Sequence, residues 1–322
     1  MKKIILISVL LLACLIAATV WAVKTYFYSQ GALVTVQIRP GQTGSEVARL
    51  LRAKGVIRSE FLFKLLLRLT SAHADLKAGR FDLRKNTPDL QVINCIKTGK
   101  CTHYEKITFL EGWRSEEMAE ELSVHGVTDA REFLNLVRAQ DLEGKLFPST
   151  YLFADNTPPQ KVIDEMLSQY KKNVAPLFKK YPTHLTERQV LTLASIVERE
   201  AVVHDERPKI AAVYLNRFHM GKRLEADPTV QYALGFALRE NRYWKRGLTY
   251  KDLKIDSPYN TYRNVGLPPG PICNPGAKSV EAVLNPQKEF EALFFVADNT
   301  GRHVFSRTFH EHKQHIKRIR GK

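Results

Sequence analysis

The strongest constraint on the fold of this chain is an unbroken apolar run that extends from Ile4 to Val23. Only a serine and a threonine interrupt it, and Lys2 and Lys3 precede it. A helix of about twenty apolar residues crosses the hydrocarbon core of a bilayer, and lysines before it are typical of a cytoplasmic end. The sequence therefore predicts a single-pass transmembrane anchor over residues 1–25, with the rest of the chain exported.

Two alternatives stay open for this segment. A cleaved secretion signal usually has a shorter apolar region that ends in a small-residue cleavage site. The stretch Leu11–Cys14 resembles a lipoprotein processing site, which would leave an acylated Cys14. The apolar run continues well past that cysteine, so the uncleaved anchor is the favoured interpretation.

The charge of the chain limits its partners. Its 322 residues include 49 Lys and Arg against 33 Asp and Glu, for a formal net charge of +16. This excess favours an anionic neighbour, which for an exported domain is anionic lipid or an acidic wall polymer. Nucleic acid is not expected as a partner, because the chain carries an anchor and no helix-turn-helix, zinc-finger or RNP signature.

The cysteines and histidines do not indicate a metal centre. Four cysteines are few for a disulfide scaffold, and their spacing is unlike that of a zinc site. Cys95 and Cys101 flank a turn-like segment, so an oxidising compartment would permit a bridge between them, with Cys273 left unpaired. The cluster of His310, His312 and His315 is interpreted as part of a basic, solvated tail rather than as a metal site.

The segment after the anchor occurs twice. Val36–Gly41 matches Ile107–Gly112, and Phe81–Ile93 matches Tyr151–Ile163, at offsets of 71 and 70 residues. Each copy is typical of a strand, a glycine turn and a helix, followed by a second strand and helix. The agreement of the offsets predicts a duplicated strand–helix–strand–helix unit, with chance similarity of two α+β segments as the alternative.

A helix with a carboxylate on its apolar face opens the C-terminal part. On a wheel of about 100° per residue, drawn for Leu191–Phe218, Glu200 lies inside the apolar arc and Glu198 lies at its edge. Burial raises the pKa of a carboxyl group towards neutrality, which a general acid working near pH 7 requires. The structural alternative is a salt bridge of Glu200 with Arg207 or Lys209.

Two irregular loops supply candidate substrate contacts. Asp227 before Pro228 predicts a helix N-cap, with a substrate contact as the alternative. Prolines stiffen the loop Ser257–Gly276. Its tyrosine, asparagine and threonine side chains are suited to bind the apolar faces and polar rims of sugar rings. The alternative is that these side chains only pack the loop. The candidate substrate-binding residues are Asn216, Asp227, Thr229, Gln231, Tyr259, Asn260, Thr261, Tyr262 and Asn274.

Five separated blocks occur in a fixed order and carry a resemblance to a known family. They are Ala194–Glu200, Val213–Arg217, Asp227–Val230, Tyr259–Tyr262 and Gly266–Gly270. Together they resemble the endolytic murein transglycosylase family, also called YceG-like, and the segments Phe294–Ala297, His303–Ser306 and Glu311-His312 resemble its closing segment. The residues before Asp227 depart from the family pattern, because Glu225 and Ala226 stand where a glutamine and a small polar residue are expected.

The resemblance implies an α+β protein with a single N-terminal transmembrane helix. LysM-like α+β modules are expected over residues 33–103 and, as a repeat-like copy, 104–172, and a mixed α+β lytic transglycosylase domain over 183–317. A LysM-like module binds glycan, although a rigid spacer is an equal alternative here. The catalytic residue carries over to Glu200, with Glu198 as a candidate supporting residue, and no metal or organic cofactor is implied.

The implied activity is cleavage of the β-1,4 bond from N-acetylmuramic acid to N-acetylglucosamine inside nascent glycan strands, giving 1,6-anhydro ends. The catalytic domain would face the periplasm from the inner membrane, help to terminate strand elongation, and associate with peptidoglycan synthases such as penicillin-binding proteins. A muramidase-type hydrolase that uses Glu200 and Asp227 is one alternative. A non-catalytic, wall-binding scaffold is the other.

Overall fold

A computed structural model describes residues 31–70, 76–298 and 300–321 of the protein. The predicted anchor and Cys14 lie outside these residues. Within the described ranges, no helix is both long and apolar enough to cross a bilayer. The chain divides into two compact units, of which the first contains the residues up to Glu105 with Leu152–Asn156, and the second contains Lys106–Tyr151 and the residues from Thr157 onward.

The first unit is built on an antiparallel pair of strands covered by helices. Its elements are β1 (Leu33–Ile38), α1 (Gly44–Ala53), α2 (Glu60–Leu69), β2 (Gly79–Arg84) and α3 (Asp89–Thr98). Strands β1 and β2 pair with Leu33 opposite Arg84 and Ile38 opposite Gly79. Alternate side chains of β1 point to opposite faces, so Val36 and Ile38 are buried with the apolar sides of the helices in one core.

The same order of elements recurs further along the chain. Its members are β3 (Tyr104–Thr108), α4 (Ser115–Val124), α5 (Ala130–Ala139), β4 (Thr150–Ala154) and α6 (Pro159–Asn173). Every element begins 70 or 71 residues after its counterpart in the first set.

The prediction of one helix between the strands of each copy is wrong, because each copy has two. The additional helices, α2 and α5, begin at the side-chain caps Ser59 and Asp129. The apolar residues of α2 cover a wide arc that includes exposed positions as well as the buried Phe63 and Leu67, so the run differs from the usual narrow apolar stripe of a surface helix. Whether either copy is LysM-like stays a prediction.

The second unit continues with a helical core and a C-terminal hairpin. Its further elements are α7 (Ala175–Lys180), α8 (Glu187–Glu200), α9 (Arg207–His219), α10 (Asp227–Leu234), α11 (Ala277–Leu284), β5 (Phe294–Ala297), β6 (His303–Ser306) and α12 (Phe309–Arg320). Helix α8 lies at the centre, since every residue from Val190 to Val197 is buried, and it packs against α9 and α11. The mixed α+β fold class is therefore confirmed.

The start of α10 differs by one residue from the sequence prediction. Its N-cap is Ala226, which has extended backbone, and Asp227 is the first helical residue with Pro228 after it. The prediction of Asp227 as the N-cap is wrong, because Asp227 already lies within the helix and no side chain caps its start. The Asp227 carboxylate instead accepts a hydrogen bond from the Tyr262 hydroxyl at 2.6 Å.

Cys95 and Cys101 form a disulfide bond, and Cys273 is a buried free thiol. The disulfide joins the end of α3 to Cys101. The next residue, Thr102, pairs with Phe81 of β2 in an isolated antiparallel β-bridge. The pairing that the spacing of the two cysteines suggested is confirmed. It ties the last helix of the first unit to the edge of its sheet.

We expect reduction of this bridge to lower the free energy of unfolding of the first unit by about 2 kcal/mol, because it closes only a short loop. Thermal unfolding with and without a reductant measures this loss. Alkylation of the native, unreduced protein should label neither Cys95 nor Cys101, and Cys273 should react only after unfolding because it is buried. Full labelling of both Cys95 and Cys101 would show that the bridge does not form.

Candidate active site

Glu200 is the last residue of α8 and lies where the buried core meets a cavity. The next residue, Ala201, has extended backbone (φ −74°, ψ 104°), which ends the helix. The chain then turns through the short helix His204–Glu206 into α9, and α9 packs back against α8. The Glu200 side chain is consequently partly buried, with α9 beside it.

Tyr214 of α9 holds the carboxyl group of Glu200. Its hydroxyl donates a hydrogen bond to Glu200 Oε1 at 2.8 Å, and the tyrosine itself is only 2% exposed. The ring packs edge-on against Phe295 of β5, with the centroids 5.7 Å apart. Burial raises the pKa of the Tyr214 phenol well above its usual value, so the hydroxyl stays protonated and remains a donor.

A cavity of about 410 Å³ contains this carboxyl group in its wall. Helices α8 to α10 supply one side, and the β5–β6 hairpin with α12 supplies the other. Aromatic rings share the lining with four charged side chains and two histidines. The polar and aromatic residues of the lining are Glu200, Tyr214, Arg217, Glu225, Asp227, Tyr262, Phe294, Phe295, His303, Phe309 and His312.

The surroundings of Glu200 raise its pKa from 4.5 to about 7. Burial is the largest cause, and the negative charge of Asp227 acts in the same direction. The hydrogen bond from Tyr214 and the positive charge of Arg199 act in the opposite direction, because both stabilise the carboxylate. Near neutral pH the group therefore exists in both protonation states, as a proton donor and acceptor requires.

Glu198, two residues earlier on α8, has a structural role instead. Its carboxylate lies 2.8 Å from the Arg207 guanidinium and accepts a hydrogen bond at 2.9 Å from the backbone N–H of Gly276, the N-cap of α11. Both side chains of the ion pair are at most 5% exposed. Arg207 also donates to the Ser279 hydroxyl at 2.9 Å. The salt bridge that the sequence allowed for Glu200 is thus made by Glu198.

Two of the nine candidate substrate-binding residues line the cavity with Glu200. They are Asp227, at the start of α10, and Tyr262, whose hydroxyl donates to the Asp227 carboxylate. The acidic pair of Glu200 and Asp227 therefore shares one cavity, although the sequence separates the two residues by 27 positions.

The other candidates make hydrogen bonds that hold loops in place. Asn216 donates to the carbonyl oxygens of Phe290 and Ala292, and Gln231 donates to that of Lys245. The remaining residues are buried or packed within the same domain: Thr229 and Thr261 with each other, Asn260 on the carbonyls of Leu253 and Ile255, and Tyr259 against the ring of Tyr232.

Asn274 joins three segments of the second unit and is fully buried. Its side-chain oxygen accepts hydrogen bonds from the backbone N–H groups of Gly144 and Leu146, at 2.9 and 3.0 Å. Its amide nitrogen donates to the carbonyl oxygen of Trp113 and to the Glu143 carboxylate. These contacts use the whole side chain for structure and leave none of it facing the Glu200 cavity.

Several residues of the cavity wall are not among the candidates predicted from the sequence. Tyr214 and Arg217 lie three positions apart on α9, so they share one face, and this spacing was the available signal for both. His312, interpreted from the sequence as part of a solvated tail, instead lines the cavity and stacks on Phe294 with centroids 5.4 Å apart. In the described part of the chain, no group of three or more His, Cys, Asp or Glu side chains could hold a metal ion.

We expect Glu198→Gln to lower the free energy of unfolding by about 3 kcal/mol, because it leaves the buried charge of Arg207 without its partner. Glu200→Gln should instead stabilise the protein above pH 7. The raised pKa of Glu200 contributes stability that is fully present below pH 4.5 and is lost as the pH rises through about 7. Denaturant unfolding of both variants between pH 4 and 8 measures the two effects, and equal stabilities at pH 8 would contradict both assignments.

Comparisons with known proteins agree on one family. The sequence model of the YceG-like family matches residues 36–318. The chain is 32% identical to an endolytic murein transglycosylase of Bacillus subtilis, over 87% of this chain and 83% of that protein. It is 29% identical to an endolytic murein transglycosylase of Streptococcus pneumoniae, over 88% of this chain and 58% of the relative.

A solved structure gives the same result. The crystal structure of a yceG-like protein from Listeria monocytogenes matches this fold with a TM-score of 0.56 and 32% sequence identity, over 88% of this chain and 99% of that chain. Sequence and fold agree over nearly the same share of the molecule, and the chain belongs to the YceG-like family.

Proposed function

We propose that the protein is a peptidoglycan lytic transglycosylase in which Glu200 is the catalytic acid and base. One observation carries this proposal: a carboxyl group with a pKa of about 7 lines an aromatic cavity and accepts a hydrogen bond from a buried phenol. The relatives in Bacillus subtilis and Streptococcus pneumoniae are named endolytic murein transglycosylases, which supports murein glycan strands as the substrate.

The reaction needs one carboxyl group that works in both directions. Protonated Glu200 gives its proton to the glycosidic oxygen as the bond to C1 of N-acetylmuramic acid breaks. The C6 hydroxyl of the same sugar then attacks C1, and the Glu200 carboxylate takes the hydroxyl proton, so the enzyme returns to its starting state. The product carries a 1,6-anhydro ring, and the intramolecular attack supplies the effective concentration that a bound water would otherwise need.

The residues around Glu200 suit this reaction. The carboxylate of Asp227 stabilises positive charge as it develops at C1, and its hydrogen bond from Tyr262 fixes its position. The rings of Phe294, Phe309 and Tyr262 offer apolar surfaces to the faces of sugar rings. A muramidase-type hydrolase remains the second candidate, because Asp227 is a second carboxylate in the same cavity and a hydrolase requires two.

We further propose how the enzyme is placed in the cell. The apolar run of residues 1–25 would anchor it in the inner membrane, with the catalytic domain in the periplasm. The disulfide between Cys95 and Cys101 supports an oxidising compartment. Residues 33–103 and 104–172 would act as LysM-like modules on the glycan, and the enzyme would help to terminate strand elongation beside peptidoglycan synthases such as penicillin-binding proteins.

Glu200→Gln should reduce cleavage of purified glycan strands by at least about 10²-fold, because an amide keeps the shape but cannot cycle a proton. Mass analysis of the parent's products should show ends one water lighter than reducing ends, as 1,6-anhydro sugars are. Reducing ends would identify a hydrolase with Asp227 as the second carboxylate. Full cleavage by Glu200→Gln would show that another residue is the catalytic acid, and no cleavage by the parent would leave the wall-binding scaffold as the function.

The pH dependence of cleavage tests the role of Tyr214. The protonated form of Glu200 starts the reaction, so kcat/KM should fall above about pH 7. Tyr214→Phe removes a hydrogen bond that lowers the pKa of Glu200, so this fall should move to higher pH. Tyr170→Phe is the matched control, since it deletes a similar bond to Glu187 at the other end of α8. A fall at unchanged or lower pH in Tyr214→Phe would contradict the assignment.

A further inference from the structure

Helix α2 of the first unit has an exposed apolar face. Phe61 is 75% exposed, Leu65 41% and Leu69 72%. The three residues are spaced four apart, so they form one stripe along the helix, and Leu62 lies beside it. The opposite side of α2 is buried in the core of the unit through Phe63 and Leu67.

The duplicated copy provides an internal comparison for this face. Helix α5 lies 70 residues later and buries the equivalent positions, Phe133 and Val137. Its exposed positions are different in kind, because they carry Arg131, Glu132 and Asn135 in place of Phe61, Leu62 and Leu65. The same helix in the same arrangement thus has a polar outer face in one copy and an apolar one in the other. The architecture therefore does not require the apolar stripe.

The charges beside the stripe point to the class of its partner. On a helical wheel, Lys64 and Arg68 border the stripe on one side, and no acidic residue lies between them and Leu62. An apolar stripe bordered by lysine and arginine is the pattern of helices that lie in the interface of an anionic bilayer. The formal net charge of +16 also favours attraction of the protein to an anionic bilayer.

The position of α2 in the chain brings it near a membrane. The apolar run of the proposed anchor ends at Val23, and β1 begins at Leu33. Ten residue steps span at most ~35 Å even when fully extended. With the proposed anchor in the bilayer, the start of β1 lies within that distance of its surface, which places the first unit where the local concentration of lipid is high.

We propose that the stripe formed by Phe61, Leu62, Leu65 and Leu69 lies in the interfacial region of the anionic bilayer that holds the anchor. Lys64 and Arg68 contact the lipid phosphates beside it. This contact fixes the orientation of the first unit on the membrane, which attachment at a single point of the chain would not do. The inference rests on the anchor in the proposed function and is independent of the glycan chemistry.

Quenching by brominated lipid tests the contact in the full-length chain. The protein, carrying Trp21→Phe, is reconstituted in vesicles of phosphatidylglycerol and phosphatidylethanolamine with bromine on the upper acyl chains. A tryptophan replaces Leu65 in one variant and Asn135, its counterpart in the second copy, in another. Brominated lipid should quench the added emission in Leu65→Trp at least about twofold more than in Asn135→Trp.

Two results would overturn the proposal. Equal quenching in both variants would mean that the stripe does not enter the bilayer. Protection of Leu65→Trp from brominated lipid and from aqueous iodide alike would mean that protein covers the stripe, as a second copy or a partner.

A third variant separates this inference from the proposed function. It carries Phe61→Arg, Leu65→Asn and Leu69→Ala, the residues of the second copy. Its cleavage products should carry the same 1,6-anhydro ends as those of the parent, because Glu200 is unchanged, and the vesicles should retain it at alkaline pH through the anchor. If the vesicles fail to retain the parent at alkaline pH as well, the anchor and this inference are refuted together, whereas the chemical nature of the product ends tests the proposed reaction alone.

Discussion

The catalytic domain depends on a buried ion pair between Glu198 and Arg207. Through it the last turn of α8 is fixed to the first turn of α9, and the Gly276 N–H adds the start of α11 to the same carboxylate. A buried charge requires a partner and further hydrogen bonds, and Ser279 completes the set on Arg207. The end of α8 is therefore rigid where Glu200 leaves it.

The two glutamates of this turn show how environment separates the roles of identical groups. They are two positions apart, so they project about 200° from each other around α8. Glu198 forms an ion pair with Arg207, while Glu200 meets Tyr214, Asp227 and a cavity, where the charged form is less stable and its pKa is raised. A pair of carboxyl groups whose surroundings differ in this way is the usual origin of separate structural and acid–base functions.

The helical wheel predicts Glu200 because the position of a residue on one helix depends only on the helical period. It misjudges Glu198, placed at the edge of the apolar arc, because burial there comes from α9 and α11 rather than from α8 itself. The amides of Asn216, Asn260 and Asn274 were misleading for a related reason. Asn216 and Asn274 satisfy backbone groups that lie far away in the chain, and Asn260 satisfies carbonyl groups within its own irregular loop. No local sequence pattern reveals either kind of partner.

In the fold as well, features encoded locally in the sequence could be predicted and features that depend on distant residues could not. The duplication and the fold class could be predicted from the sequence, because local periodicity and turn residues encode them, but the second helix between the strands of each copy could not. The opposite wall of the cavity could not, since it assembles from β5, β6 and α12, some 100 residues after Glu200. Aromatic residues such as Phe294 indicate a core equally well, and only tertiary packing makes them line a cavity.

The pKa of Glu200 is a balance that the proposed reaction needs. Burial alone would favour the neutral acid so strongly that the second step, in which the carboxylate takes the C6 hydroxyl proton, would lack its base. The hydrogen bond from Tyr214 and the charge of Arg199 limit this rise, while the negative charge of Asp227 adds to it. A pKa of about 7 divides the driving force between the acid and base steps, so a single residue can perform both in one turnover.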